Sequence, residues 1–324
     1  MDIISKLKES NLLGRGGASF PTGLKWEAVK NEKAEKKYII CNGSEGEPGV
    51  FKDKHILENY PEEVVNGIKI ALQEIDNSSA YIYLNKDYFQ EFKDKLEKLI
   101  EDSKITVFEK YGGYLAGEET TVCNVIEGKE PESRFKPPYP FQIGLFGFPT
   151  LINNIETFYY VSRISKNEYK NTRFYSISGD VTKRGVFEFP LDLSLEQVLR
   201  QSNNYPDFDF FVQVGGGASG EILLPDELNQ PLKGVGAIIV YDKSKTDLFE
   251  LMKYWAEFFN KENCDRCTPC REGAFRLLEM AKTGKIDREK LDEILLVLGE
   301  TSFCPLGRSM VAPFKSLIFK LILK

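Results

Sequence analysis

The chain has 324 residues, 42% hydrophobic and 28% charged, with a formal net charge of -6. That length admits two or three domains of ordinary soluble composition, and the acidic balance excludes a general nucleic-acid surface, which needs clustered Lys and Arg. Direct membrane insertion is not expected, because the C-terminal FKSLIFKLILK is broken by lysines and falls well short of the ~20 residues that span a bilayer.

The chain opens MDIISKLKES without an apolar signal core, so a cytoplasmic protein is expected. Next comes Gly14-Arg15-Gly16-Gly17-Ala18-Ser19-Phe20-Pro21-Thr22-Gly23-Leu24-Lys25-Trp26. Glycines at this density let backbone approach a ligand and expose amides, and Lys25 adds a positive charge suited to phosphate. The stretch is neither a Walker A sequence nor a G-x-G-x-x-G fingerprint, so a plain flexible loop would look similar.

From there short apolar runs alternate with amphipathic segments: YIIC (38–41), a helix over 62–75, AYIYL (80–84), a helix over 88–102, and ITVFEK (105–110). Such alternation predicts an α/β layer domain with a parallel sheet, whose ligands lie beyond the carboxyl ends of the strands. Two further glycine-rich loops follow strands: Asn42-Gly43-Ser44-Glu45-Gly46-Glu47-Pro48-Gly49, and the run Tyr111 to Thr120. Around 172–242 the runs RFYSISG, GVFEFP, DFFVQVGGG and GAIIVYD, with the helical LEQVLRQS, predict a small β-rich unit similar to a β-grasp module. From 246 onward LFELMKYWAEFF, REGAFRLLEMAK, DREKLDEILLVLGE and GRSMVAPFKSLIFKLIL repeat apolar residues at three- and four-residue steps, predicting a four-helix bundle with cysteines in its loops.

Those cysteines carry the strongest signal. Cys264-x2-Cys267-x2-Cys270, with Cys304-Pro305 further on, groups four thiolates as a cubane iron–sulfur cluster requires. Zinc is the alternative, although structural zinc usually draws its ligands from two separate knuckles. Cys41 and Cys123 sit in apolar or mixed surroundings and read as inert buried thiols, and the single histidine, His55, has no nucleophile motif beside it.

Taken in order, GRGGASFPTGLKW (14–26), NGSEGEPGVFKD (42–53), YLAGEET (114–120), KPPYPFQIGLFGFPTLINNIET (136–157) and CDRCTPCREG (264–273) resemble the NADH-binding flavoprotein subunits of respiratory complex I, NAD-linked hydrogenases and NAD-linked formate dehydrogenases. The resemblance implies an α/β fold: an FMN- and NADH-binding domain (1–170), a β-grasp-like SLBB domain (171–243) and a four-helix bundle (244–324) with one [4Fe–4S] cluster. It implies that Gly14, Gly16, Gly17 and Lys25 cradle FMN from one side. Asn42, Ser44 and Glu45 would border its ring, Tyr114, Gly117 and Glu118 would close the other side, and Asn153, Asn154 and Thr157 would open a phosphate-binding helix. Phe20, Tyr139, Glu47 and Glu119 would contact NADH, the two carboxylates orienting the nicotinamide nucleotide. A carboxylate near the ribose repels a 2′-phosphate and favours NADH over NADPH. Cys264, Cys267, Cys270 and Cys304 would hold the cluster.

The implied activity is that of an NADH dehydrogenase-type electron-transfer protein, with no side chain acting as general acid or base. Some relatives fuse on ferredoxin-like and thioredoxin-like domains, which are expected here on other chains. The expected partners are therefore a small [2Fe–2S] thioredoxin-like subunit and a larger Fe–S or catalytic subunit of a hydrogenase, formate dehydrogenase, aldehyde oxidoreductase or complex I-like assembly. Ala28, Ser44 and Ala116 depart from the residues common in the family. The first two motivate the other reading, an FMN and Fe–S electron conduit or assembly protein that no longer binds dinucleotide.

Overall fold

The structure is a computed structural model that describes residues 2–101, 104–232 and 234–323. The chain divides into two compact units, 1–46 with 51–172, and 47–50 with 173–324.

The first unit begins with α1 (Ile3–Glu9) and α2 (Thr22–Asn31), then β1 (Lys37–Gly43), α3 (Lys52–Asn59), α4 (Pro61–Glu74), β2 (Ser78–Leu84), α5 (Lys86–Leu99) and β3 (Ile105–Glu109). It ends with α6 (Glu119–Ile126), β4 (Thr150–Asn154) and α7 (Ile155–Ser165). The predicted helix over 88–102 is α5, and residue 102 itself lies outside the described residues. All strand pairs in this sheet are parallel, in the order β3-β2-β1-β4, with Tyr38 opposite Thr150 and Ile82 opposite Val107. Helices cover such a sheet on both faces, so β1 reads as a continuous apolar run and Ile39, Ile40 and Cys41 are fully buried. α4 can lie against α7 because Gly67 has no Cβ to strike the Phe158 carbonyl. The chain steps outward from β1 to β2 and β3, then returns on the other side of β1 as β4. That reversal opens a crevice at the carboxyl ends of β1 and β4, the usual ligand position in open α/β sheets.

The second unit carries a mixed five-stranded sheet, ordered β6-β5-β9-β7-β8, from β5 (Thr172–Gly179), β6 (Gly185–Pro190), β7 (Phe210–Val214), β8 (Glu221–Leu223) and β9 (Ala237–Asp242). α8 (Leu195–Gln201) starts with a Ser194/Gln197 capping box and buries Leu195, Val198 and Leu199 against Tyr175, Val212 and Val240. One helix on one sheet face is the arrangement a β-grasp-like module needs.

The helical part has α9 (Leu248–Glu262), α10 (Thr268–Thr283), α11 (Arg288–Thr301), α12 (Pro305–Ser309) and α13 (Val311–Leu317), then a π-helical turn over Ile318–Ile322. The helix expected over 307–323 is thus broken. Pro313 has no N–H to give the Ser309 carbonyl, and its ring crowds that carbonyl, which parts α12 from α13. Gly273 lets α10 approach the Leu298 side chain of α11, and Trp255 meets Phe314 edge-on at 5.8 Å.

Candidate functional site

Four segments meet at the crevice of the first unit. The glycine-rich loop is pinched at its neck by a Leu13–Pro21 bridge, by Gly14 N–H donating to the Phe20 carbonyl at 2.9 Å, and by Thr22 N–H donating to the Leu12 carbonyl at 2.8 Å. Within it Gly17 has φ 109°, a conformation that excludes a side chain. Gly16 faces Asn154, whose Cβ would stand 3.4 Å from a Cβ added at 16. Arg15 N–H donates to Thr157 Oγ1 at 3.0 Å, which ties the loop to the first turn of α7.

Asn154 caps that helix: its Oδ1 accepts from the Glu156 N–H at 3.0 Å. Its amide donates to the Asn42 carbonyl at 3.2 Å and to Asp53 at 2.6 Å. Asn153, by contrast, turns away, its Oδ1 accepting from the Trp26 indole at 2.9 Å, so its side chain serves packing on α2. The Asn42 amide donates to the Gly117 carbonyl at 3.0 Å, while its Oδ1 accepts from the N–H and the hydroxyl of Ser44. A Cβ at Gly117 would lie 2.5 Å from Ser44 Oγ, so this glycine is required by the close approach of the two loops. The Tyr114 ring borders Gly46.

The charges are arranged in two layers. In the crevice, Lys136 donates at 2.9 Å to both Glu118 and Glu119, and Lys25 stands 3.7 Å from Glu119 while donating to the Ile152 carbonyl at 3.3 Å. Burial pulls the Lys25 ammonium below its usual range against the pull of Glu119. Glu118 also accepts from the Thr120 and Thr121 N–H groups, so it is the N-cap of α6. Phe20 is half-exposed under Lys25, 5.8 Å from ring centre to amine. Tyr139 is also half-exposed and stacks on Phe141 at 5.9 Å. A pocket of about 210 Å³ near this loop is lined by Cys123, Arg134, Phe135 and Ile143 among others, and by none of the crevice glycines.

Beneath the crevice runs a buried polar chain. Lys52 bridges Asp53 and Glu156, at 2.5 and 3.2 Å, and the Arg15 guanidinium stands 3.9 Å from the other side of Glu156. The Glu45 carboxylate accepts from the Asp53 and Lys54 N–H groups and from the Tyr88 hydroxyl at 2.7 Å. Burial first, and then the Asp53 charge, raise its pKa to about 7. Arg15, Lys52, Asp53, Lys136 and Glu156 were not singled out from the sequence. The available signal was a charge within each glycine-rich or proline-rich motif.

Glu47 belongs to the second unit. It is buried, and its carboxylate accepts from the N–H groups of Ala218 and Ser219 and, at 2.6 Å, from the Ser219 hydroxyl. Gly216, at φ 147°, leaves room for that carboxylate, where a Cβ would collide with it. The side chain expected to orient nicotinamide is thus engaged within its own unit.

In the helical part Cys264 follows α9, Cys267 is the N-cap of α10 and Cys304 the N-cap of α12. Cys270 lies in the first turn of α10, not in a loop as expected, because Pro269 starts that helix early. Burial, and then the neighbouring Cys267, Cys304 and Cys264, push the Cys270 thiol up to about 12, so all three other cysteines lie near enough to Cys270 to act on it. Among the described residues no group of three or more His, Cys, Asp or Glu closes on a single-ion site. Four soft donors near one another fit an iron–sulfur cluster. The amide-rich loops at a helix N-terminus likewise fit a flavin phosphate.

Residues 7–163 match the Nuo51 FMN-binding domain and residues 250–320 the iron–sulfur binding region of NADH-ubiquinone oxidoreductase-F. The chain is 31% identical to the second F-type subunit of the NADH-quinone oxidoreductase of Rhizobium meliloti, covering 94% of this chain and 83% of that protein. It is 34% identical to the F-type subunit of the NADH-quinone oxidoreductase of Aquifex aeolicus, with coverage of 94% and 81%. It is 32% identical to the alpha subunit of the NAD-reducing hydrogenase HoxS of Cupriavidus necator, over 98% of this chain and 59% of that protein. A solved NAD+-reducing [NiFe]-hydrogenase in the H2-reduced state superposes with a TM-score of 0.91 at 31% identity, over 98% of this chain and 61% of the hydrogenase chain. A flavin crevice followed by a four-cysteine helical end, with these relatives along nearly its full length, makes the chain a member of the family of F-type NADH-quinone oxidoreductase subunits, binding FMN and a [4Fe–4S] cluster.

Proposed function

We propose that the chain takes electrons from NADH at FMN and passes them one at a time to the cluster held by Cys264, Cys267, Cys270 and Cys304, for delivery to partner subunits. The observation that carries this reading is the convergence of three glycine-rich segments on the β1–β4 switch point, in a chain that also brings four cysteines together. Bound FMN supplies the passage between hydride and single-electron chemistry, and the protein supplies position and electrostatics. Gly14, Gly16, Gly17, Asn154 and Thr157 offer a loop and helix N-terminus for the phosphate. Asn42, Ser44, Glu45, Tyr114 and Gly117 shape the flavin's surroundings. Phe20 and Tyr139 present aromatic faces to the dinucleotide, and Glu119, held by Lys25 and Lys136, disfavours a 2′-phosphate. No titratable side chain need relay a proton for hydride transfer.

The relatives are named as subunits of larger enzymes. The partners we propose are a small [2Fe–2S] thioredoxin-like subunit and a larger Fe–S or catalytic subunit, in the cytoplasm. Among the described residues no helix is long and apolar enough to cross a membrane. Anaerobic stopped flow tests the reading: NADH should bleach the flavin, and NADPH should do so far more weakly. No bleaching at millimolar NADH, with FMN and four irons bound, would leave the electron-conduit reading in its place.

A further inference from the structure

At the cysteine end of the second unit lies a hydroxyl for which the chain supplies no partner. Ser302 is 1% exposed, and its Oγ makes no hydrogen bond to the protein. Its backbone is engaged, since it closes α11 and its carbonyl accepts from Arg308 Nε at 3.0 Å. A buried, unsatisfied hydroxyl forfeits its hydrogen bonds to water without replacement, so a serine is a poor choice here unless something else accepts its proton. Gly307 shows what lies opposite. A Cβ on that residue would collide with the Ser302 hydroxyl and stand 3.2 Å from Cys270 Cβ. The hydroxyl and Cys270 therefore flank the same gap, which the glycine keeps open, and Cys304 stands two residues further on.

We propose that Ser302 donates a hydrogen bond from Oγ to a sulfide of the cluster beside Cys270, and thereby raises the cluster's reduction potential. Reduction adds negative charge to the sulfurs, so a donor aimed at them stabilises the reduced state more than the oxidised one. Ser302 is a positioning and tuning residue, not a ligand. The inference rests on the assignment of a [4Fe–4S] cluster to the four cysteines and adds the group that sets its potential.

The test is EPR-monitored redox titration of the holo chain, with iron and sulfide measured alongside. Ser302→Ala should keep about four irons and reduce three- to tenfold less favourably, roughly 30–60 mV lower for one electron. Ser302→Thr, which keeps the hydroxyl, should titrate like the native chain, while Ser302→Val, of the same shape without it, should titrate like Ser302→Ala. Loss of iron from Ala and Val but not from Thr also supports the contact. An unchanged potential in Ser302→Ala or Ser302→Val with iron retained overturns it, as does loss of iron from Thr along with the other two. Zinc, or no iron, in the native chain would instead overturn the cluster assignment beneath it.

Discussion

Replacing Lys52 by Met tests the buried layer on which the crevice stands. Lys52 is 2% exposed, bonds Asp53 and Glu156, and donates to Asn154 Oδ1 at 3.0 Å. Burial alone would pull its ammonium down, but Asp53, Glu156 and Glu45 outweigh burial and hold it charged. Methionine fills much of the same volume while leaving two buried carboxylates to face one another. Breaking a buried pair this way costs about 3–5 kcal/mol; Arg15 remains beside Glu156, so the lower figure is expected. For a unit of this size that is a fall in melting temperature on the order of 10 °C. Asn154 also loses one of its tethers, so FMN should bind more weakly at temperatures where the unit is still folded. Adding Glu156→Gln removes one stranded charge and should recover about half of the loss. Thermal melts followed by circular dichroism, with FMN titrated by fluorescence quenching, measure both effects. A Lys52→Met chain that melts within about 3 °C of native, with unchanged FMN affinity, would refute the reasoning.

Gly117→Ala puts a Cβ against Ser44 Oγ and should weaken FMN binding about tenfold, whereas the double change with Ser44→Ala should restore it; equal loss in both would show that the clash is not the cause. Cys267→Ser should lose the cluster's iron and its visible absorption, while Cys123→Ser, a buried thiol pushed up to about 12 by burial, should keep both. Glu45 gives a pH signature. Its folded pKa of about 7 lies above its ordinary 4.5, so the native state holds a proton the unfolded chain has released, and stability falls as pH rises between those values, by at most about 1.4 kcal/mol per unit. Glu45→Gln should flatten that slope in urea unfolding at pH 5, 6 and 7.5, and an identical slope in both chains would remove Glu45 as its source.

What the sequence made legible follows from how local each signal is. β1, β2 and β3 are apolar runs bounded by turn residues, and α4, α5 and α9 carry apolar stripes, so their type is written within a few turns of chain. β8 has three residues after a glycine-rich turn, too short to show a period. The break at Pro313 was marked by a proline inside a helical pattern, and the early start of α10 by Pro269 just before one. The glycine loops and cysteines reveal a site because glycine and thiolate have few other reasons to cluster. The tethers of that site are long-range. Nothing near Glu47 announces Ser219, and nothing near Arg15 announces Thr157 or Glu156.

The crevice charges bear on the residues that depart from the family. Glu118 and Glu119 are matched by Lys136 and Lys25, so the four groups together carry no net charge. Serine at 44 keeps that balance. Its hydroxyl and N–H both donate to Asn42 Oδ1, which leaves the Asn42 amide free to hold the Gly117 carbonyl. An aspartate there would set a carboxylate against that Oδ1 and turn the amide around. Ser44 therefore preserves the loop contact. What Ala28 removes is a different quantity, aromatic area, and under the proposed reading the half-exposed rings of Phe20 and Tyr139 remain to stack on a dinucleotide. The two departures act on different quantities: one keeps a loop contact and the other forgoes aromatic area, so loss of dinucleotide binding does not follow from either.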